Sequence, residues 1–475
     1  GLIPLSRSLS KIKSHISKQQ DKYKQSSPLK MKLNLSQHIT IAMNEGILLL
    51  YSFQYTSNVK SLSLLSMIIS AIGLLYPSFN NNPFYPAMFI FLYFSYYSYR
   101  KVMPEFMNFQ WDALLVEANM YCIILSFCSC SCSTSISINN VNTSHSDEGV
   151  MKSLSLSYLC TVFAIIPFQL LVFRFMFGSG LVKLTSGDIS WNIKNNTAMK
   201  YHSLTQPLPG KLAKYMTINY IPLICLQMMT IHGLWVTEII VPLLSLLPGI
   251  YSLVTMCLRS GIGIRIELVS TLTLTLTSTS AYKLISWLVS VLPLFTVSVY
   301  IFLHVSITMF GHFGFFNLLS SVLSLSLLKD FDLHFIKGLI FSANADANAD
   351  AYAYGSGSGN SHDNLNTIVT PTPFRYIIDI TTLLISVCTI LTNLVAVYNV
   401  MERCNLTFKD KEKDKDRTII TSDANRSTSI ANICFNIHEL CSLFGIGGHY
   451  GLFATMTKIR DEVIIEVSDD YYKVI

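Results

Sequence analysis

The chain has 475 residues, 51% of them hydrophobic and only 13% charged, with mean hydropathy +0.44 and a formal charge of +6. Soluble domains carry about 25% charged residues, so these values exclude a large soluble body and leave a perimeter that faces lipid. The basic residues gather ahead of the first apolar run, without the basic–aromatic interleaving of a single-strand groove; a lipid bilayer is the expected partner, and no nucleic acid.

Backbone in hydrocarbon must satisfy its own hydrogen bonds, and the apolar runs are much longer than the roughly ten-residue segments of a membrane barrel. The expected fold class is therefore an all-α polytopic membrane helical bundle with polar loops, which the family resemblance given below implies are lumenal, and a fragmentary β segment near the carboxyl terminus.

Residues 1–43 read as a basic, disordered cytosolic leader, with Lys11, Lys13, Lys18, Lys22, Lys24, Lys30 and Lys32 favouring the cytosolic side. No cleavable signal is recognised, so the first apolar stretch is expected to act as a signal anchor. A multi-helix membrane domain follows over 44–340. Its apolar runs lie at about 59–77, 84–99, 115–131, 155–177, 221–247, 284–307 and 308–328, against the roughly 20 residues a crossing needs. The 84–99 and 115–131 runs are short enough to be tilted, re-entrant or packed inside the bundle. Within this domain 178–220 reads as a polar loop, and the alternation of 271–280 leaves strand and loop both open. A low-complexity insert at 342–369 cannot build a core. A membrane helix at 370–400 and a charged linker at 401–430 lead to 431–475, the start of a lumenal domain whose Val463, Ile465 and Val467 alternate as in a half-buried strand.

Chemistry-bearing residues are sparse. Asp112 and Glu117, five apart in FQWDALLVE, diverge by about 140° on a helix, so they form no carboxylate dyad; Asp112 reads as a helix cap and Trp111 as a headgroup-belt residue. Gly178 and Gly180, between Arg174 and Lys183, are expected to make a sharp turn at a helix end, held by a contact from Arg or Lys to an Asp such as Asp188. The titratable groups Glu117, Arg174, Glu238 and His312 would suit a proton or ion path if buried together. No HExxH, GxSxG, Walker or dinucleotide-binding spacing occurs, so no catalytic residue, metal site or cofactor is assigned. Cys434 and Cys441 are candidates for a disulfide in an oxidising compartment. The sequons at Asn142, Asn195, Asn405 and Asn425 are candidate glycosylation sites if lumenal.

Four stretches in order, FMNFQWDALLVEANM at 106–120, the block 170–215 from LLVFRFMFGSG to QPLPGKLAKY, HGLWVTEIIVPLL at 232–244 with GHFGFFNLLSSVLSLSLLKD at 311–330, and HYGLFATMTKIRDEVIIEVSDD at 449–470, resemble the lipase maturation factor family. The matching positions are Gln110, Trp111, Asp112, Glu117, Arg174, Gly178, Gly180, Lys183, Asp188, Trp191, His202, Gln206, Pro207, Pro209, Glu238 and Asn317. The resemblance implies a multi-pass membrane protein of the endoplasmic reticulum that acts as a chaperone-like maturation factor for newly made secreted lipases, in particular homodimeric ones, and is not itself an enzyme. It implies client contact through the carboxyl-terminal part, where Tyr450, Leu452 and Phe453 are the candidates. Gly311–Gly314 and Gly447–His449 depart from the family pattern, and the family continues well beyond the strand at 463–467, so the resemblance implies a lumenal domain cut short. Two rival readings are a membrane enzyme distantly similar to vitamin-K-dependent carboxylase-related proteins, with Lys183, His202 and Glu238 as its site, and a transporter.

Overall fold

The structure, a computed structural model, describes residues 56–75, 84–102, 106–136, 147–192, 195, 197–205, 233–249, 280–311, 313–328, 373–412, 429–459 and 461. The strand expected at 463–467, the insert at 342–369, the leader at 1–43 and the alternating 271–280 lie outside these residues.

Ten helices organise the described chain: α1 Thr56–Leu75, α2 Phe84–Val102, α3 Gln110–Ile136, α4 Asp147–Thr185, α5 Ala198–Thr205, α6 Val236–Gly249, α7 Ser280–Phe310, α8 Phe316–Ser324, α9 Pro373–Glu412 and α10 Ser429–Ser442. Four contain stretches long and apolar enough to cross a membrane: Gln110–Cys128, Cys160–Thr185, Val291–Phe310 and Ile377–Glu402. The chain is thus an all-α polytopic bundle. The run expected at 115–131 is part of a 27-residue helix, long enough to span without re-entry.

Helix α4 is the hub, packed against α3, α6, α8 and α9. Side-chain bonds fix the directions. Cys128 Sγ donates to Cys160 O at 3.4 Å and Cys160 Sγ to Asp379 O at 3.2 Å, while fourteen residues on, Arg174 and Asn393 meet Glu117 and Tyr121. So α9 runs parallel to α4 and α3 antiparallel to both. The face of α9 toward α4 is polar but small: Thr382, Ser386, Thr389 and Thr392 are buried, each hydroxyl donating to a carbonyl one turn back. Hydroxyls satisfied within their own helix let backbones approach closely in lipid. Outward, α7 shows Phe295, Phe302, Val305 and Met309, the apolar perimeter the composition required.

Two expectations change here. The Gly178-Ser179-Gly180 stretch is not a turn, because α4 runs unbroken to Thr185, so the loop expected from 178 begins only after it. Cys434 and Cys441 are free thiols and not a disulfide. Both sit on α10, and seven residues of helix separate their Cα atoms by about 10 Å, beyond the roughly 7 Å limit for a bridge.

Candidate functional site

The start of α3, the ends of α4 and α7, the start of α8, and helix α5 share one end of the bundle. The segment 443–457, leaving α10, is drawn across that end and down between the helices. Its anchor is a buried carboxylate. Glu117, wholly buried on α3, accepts from Arg174 Nη2 (2.5 Å), Tyr121 OH (2.7 Å) and the Gly447 backbone N–H (2.9 Å) through Oε1, and from Tyr450 OH (2.6 Å) through Oε2. Asn393 on α9 donates to the Tyr121 hydroxyl at 2.7 Å, and the Arg174 guanidinium lies 5.2 Å from the centre of the Tyr450 ring. A charge this deep is tolerated only when paired and hydrogen-bonded, and here four groups from α3, α4 and the segment share that task, with Asn393 steadying Tyr121 from α9.

From this knot the segment is gripped along its length. Tyr93 and Tyr97, one turn apart on α2, donate to the Phe444 and Leu443 carbonyls at 2.8 and 2.9 Å. The Gln110 amide both donates to Gly451 O (3.2 Å) and accepts from Gly451 N (2.9 Å), pairing like a strand neighbour. Trp191 Nε1 donates to Phe453 O at 3.1 Å, Asp188 accepts from Met456 N at 2.7 Å, and Thr205 donates to Thr457 O at 3.0 Å. An extended segment that gives up its own backbone pairing must find partners elsewhere; these side chains supply them.

The two glycines of α4 serve close approach. A Cβ on Gly178 would stand 2.6 Å from Tyr450 O, and one on Gly180 2.8 Å from Glu238 O. Both obstacles are backbone atoms. The Glu238 carbonyl is exposed to that contact because α6 is π-wound over Val236–Ile240 and Pro242 has no N–H to offer it. Gly178→Ala is expected to cost about 1–3 kcal/mol and to raise hydrogen exchange in 443–457, read by mass spectrometry; Gly180→Ala should loosen α6 instead.

A second buried pair lies one helical turn or more beyond the first. Lys183 Nζ contacts Glu238 Oε1 and Oε2 at 2.6 and 2.5 Å, and stands 5.4 Å from the centre of the Trp191 ring. The pair forms one wall of a cavity of about 230 Å³ between α4, α6, α7 and the segment, with His202, His304 and Phe453 also lining it. Phe453 holds a left-handed backbone, φ 57°, which costs a non-glycine residue roughly 1–2 kcal/mol and turns its ring onto His202 (5.1 Å, edge-on) and Phe313 (5.7 Å, edge-on).

His202 and Asp188 make this end acid-sensitive. Burial, with Lys183 nearby, depresses the His202 pKa to about 4. Burial opposes ionisation of Asp188, but the Met456 and Ser190 N–H groups outweigh it and hold the carboxyl below its usual range. Both pKa values lie below those of the unfolded chain, so the unfolded state binds more protons and the associated stability is lost as pH falls. Protection of 450–457 from exchange should decline from about pH 6.5 down to 4 through His202, and further below 4 through Asp188. Asp188→Asn should remove only the lower part.

Of the expected site residues, Gln110, Glu117, Arg174, Gly178, Asp188 and Trp191 converge on the segment, and Lys183, His202 and Glu238 on the cavity. Asp112, buried, accepts from Phe109 N at 3.0 Å and Tyr96 OH at 2.6 Å, closing the first turn of α3, while Trp111 stacks on Phe109 at 4.5 Å. Asn317 is buried at the start of α8. Gln206, Pro207, Pro209, His312, Asn142 and Asn425 lie outside the described residues; Asn195 is exposed and Asn405 lies on α9. Two expectations fail. Glu117 and Glu238 are each occupied by their own cation, Arg174 and Lys183, and do not form one titrating path. Tyr450, expected to meet a client, is 2% exposed and spent on Glu117; Leu452 and Phe453 face inward on the cavity. Sequence reasoning missed Tyr93, Tyr97, Tyr121 and Asn393. The i, i+4 spacing of Glu117 with Tyr121 was the available signal.

A family model described as the lipase maturation factor transmembrane domain matches residues 1–298, which takes in the α3, α4 and α6 sides of the site. Lipase maturation factor 2 of Xenopus tropicalis is 27% identical over 272 residues, covering 57% of this chain and 29% of that protein. The Xenopus laevis protein of that name is 30% identical over 190 residues (40% and 23%), and the human one 28% over 192 residues (40% and 24%). The match spans under a third of the length of these relatives. No solved structure matches.

Proposed function

Because the chain belongs to the lipase maturation factor family, a family of multi-pass endoplasmic-reticulum membrane proteins, we propose that it assists the folding and assembly of newly made secreted lipases, homodimeric ones above all, as a chaperone-like factor that makes and breaks no bond. What carries the mechanism is the rim of the site. Phe106, Phe109, Ile189 and Ile459 are 61, 49, 60 and 81% exposed around the clasped segment, which the side chains beneath them hold by its backbone. Exposed apolar side chains on a rigid base suit transient contact with the unfinished surface of a folding client. The client surface is therefore this rim and not Tyr450.

Co-precipitation with a homodimeric secreted lipase, scored with lipase activity in cells lacking a maturation factor, tests the reading. Binding with recovered activity is the expected result. Ile189→Asp with Phe109→Ser should reduce binding several-fold at unchanged thermal stability; unaltered binding would remove the rim from the mechanism. The reading also places this end of the bundle in the lumen, where Asn195 would carry a glycan, seen as a mobility shift lost in Asn195→Gln. Ser63 on α1 bonds Tyr99 near the end of α2, and Tyr85 at the start of α2 bonds Gly73 O, so α1 begins at this same end; a glycan on Asn195 would thus put Thr56 in the lumen, against the expectation that the first apolar stretch enters from the cytosol.

A further inference from the structure

The cavity beside Lys183 and Glu238 is unexplained by client contact, since the clasped segment roofs it. About 230 Å³ is room for far more than the single water that a few tens of Å³ would hold. Its walls are almost wholly apolar, so water would gain little there, and left empty its lining would forfeit dispersion contacts. Phe302 lines it and is also 74% exposed on the lipid-facing side of α7, which places a mouth at the bilayer. Its lining also carries polar groups, among them the Lys183–Glu238 pair and His304, a ring 3% exposed whose Nδ1 has no hydrogen-bond partner among the described residues.

This arrangement selects by charge. Lys183 and Glu238 already neutralise each other at 2.5–2.6 Å. An anionic headgroup would have to displace Glu238 or lie against its carboxylate, and a cationic one would meet Lys183; either leaves a charge buried and unpaired. A hydroxyl suits all three groups, since it donates to a carboxylate oxygen and accepts from an ammonium or imidazole N–H. We propose that the cavity binds an uncharged, hydroxyl-bearing single-chain lipid of the monoacylglycerol class, drawn from the bilayer between α6 and α7, with its chain on the apolar wall and its headgroup at Lys183, Glu238 and His304.

The test uses the full chain in phosphatidylcholine nanodiscs with a monoacylglycerol carrying a diazirine in its acyl chain. Crosslinks are expected on peptides containing Thr237 and Ser306, competed by excess monooleoylglycerol and at least about tenfold less effectively by oleate or octadecene, a difference of about 1.4 kcal/mol. Gly233 lines the cavity and a Cβ there meets nothing within 4 Å, so Gly233→Leu obstructs the site while leaving the ion pair intact. It should lower labelling about tenfold, whereas Gly249→Leu, equally free of contacts at the far end of α6 and not lining the cavity, should not. Labelling spread over the outer faces of α7 and α9 and indifferent to Gly233→Leu would overturn the proposal. So would equal competition by oleate, which would show that the site does not select against charge. The competition series on the unaltered chain decides the matter even if Gly233→Leu fails to fold.

Discussion

Arg174→Met is expected to destabilise the protein by about 3–5 kcal/mol, because it leaves the Glu117 carboxylate buried with hydroxyl and N–H donors but no counter-charge. The readout is the temperature at which half of the detergent-solubilised protein stays monodisperse, together with exchange protection of 443–457, which should fall first. Glu117→Met should cost a similar amount, since Arg174 is then the uncompensated charge, and its Nε and Nη1 already lack partners among the described residues. The double variant Glu117→Met/Arg174→Met should be clearly less damaged than the sum of the two, as both charges leave together. It should still not reach the parent, because Tyr121, Tyr450 and Gly447 N all lose their acceptor. A strictly additive double variant would show that the pair is not coupled.

Lys183→Met is expected to cost about 3 kcal/mol, and its signature should differ from that of Arg174→Met. Here the stranded acid is Glu238 on the π-wound turn of α6, so exchange should rise in 233–249 before it rises in 443–457. Lys183→Met/Glu238→Gln should recover part of the loss. Lys183→Arg should not restore the parent, since the planar guanidinium is bulkier than the ammonium that the Glu238 oxygens and the Trp191 ring now enclose. Thermal dispersion curves and peptide-level exchange on the four proteins are the measurement.

Much of the bundle was legible from apolar run length, because in lipid the backbone leaves few alternatives to a helix. The ends were less so. Asp112 read as a cap ahead of the run at 115–131, but the helix starts at Gln110, and Asp112 reaches back to the Phe109 N–H in a way only the side-chain geometry reveals. Gly178-Ser179-Gly180 read as a turn because glycine permits one, yet small residues spaced two apart also let another backbone lie against a helix; choosing required knowing that Tyr450 and Glu238 would be there. The matched motifs singled out Gln110, Glu117, Arg174, Asp188 and Trp191 but not their partners, since nothing in one sequence states that residue 117 meets residue 447. Tyr450 shows the cost of that gap: an aromatic near the carboxyl end looks like surface for a partner, and it is instead the hydroxyl that completes a buried carboxylate.

The clasp also has a history in time. Arg174 and Glu117 leave the ribosome 276 and 333 residues before Tyr450. At roughly 5–20 residues per second, the helices carrying them wait on the order of 14–67 s, by that rate, before Gly447 and Tyr450 are made. For that interval the ion pair sits half-satisfied in an unfinished bundle, and a charged group within the membrane stays costly until its partners are in place. The bundle thus has a late folding step of its own, and chains released before residue 447 should be short-lived for a reason built into Glu117.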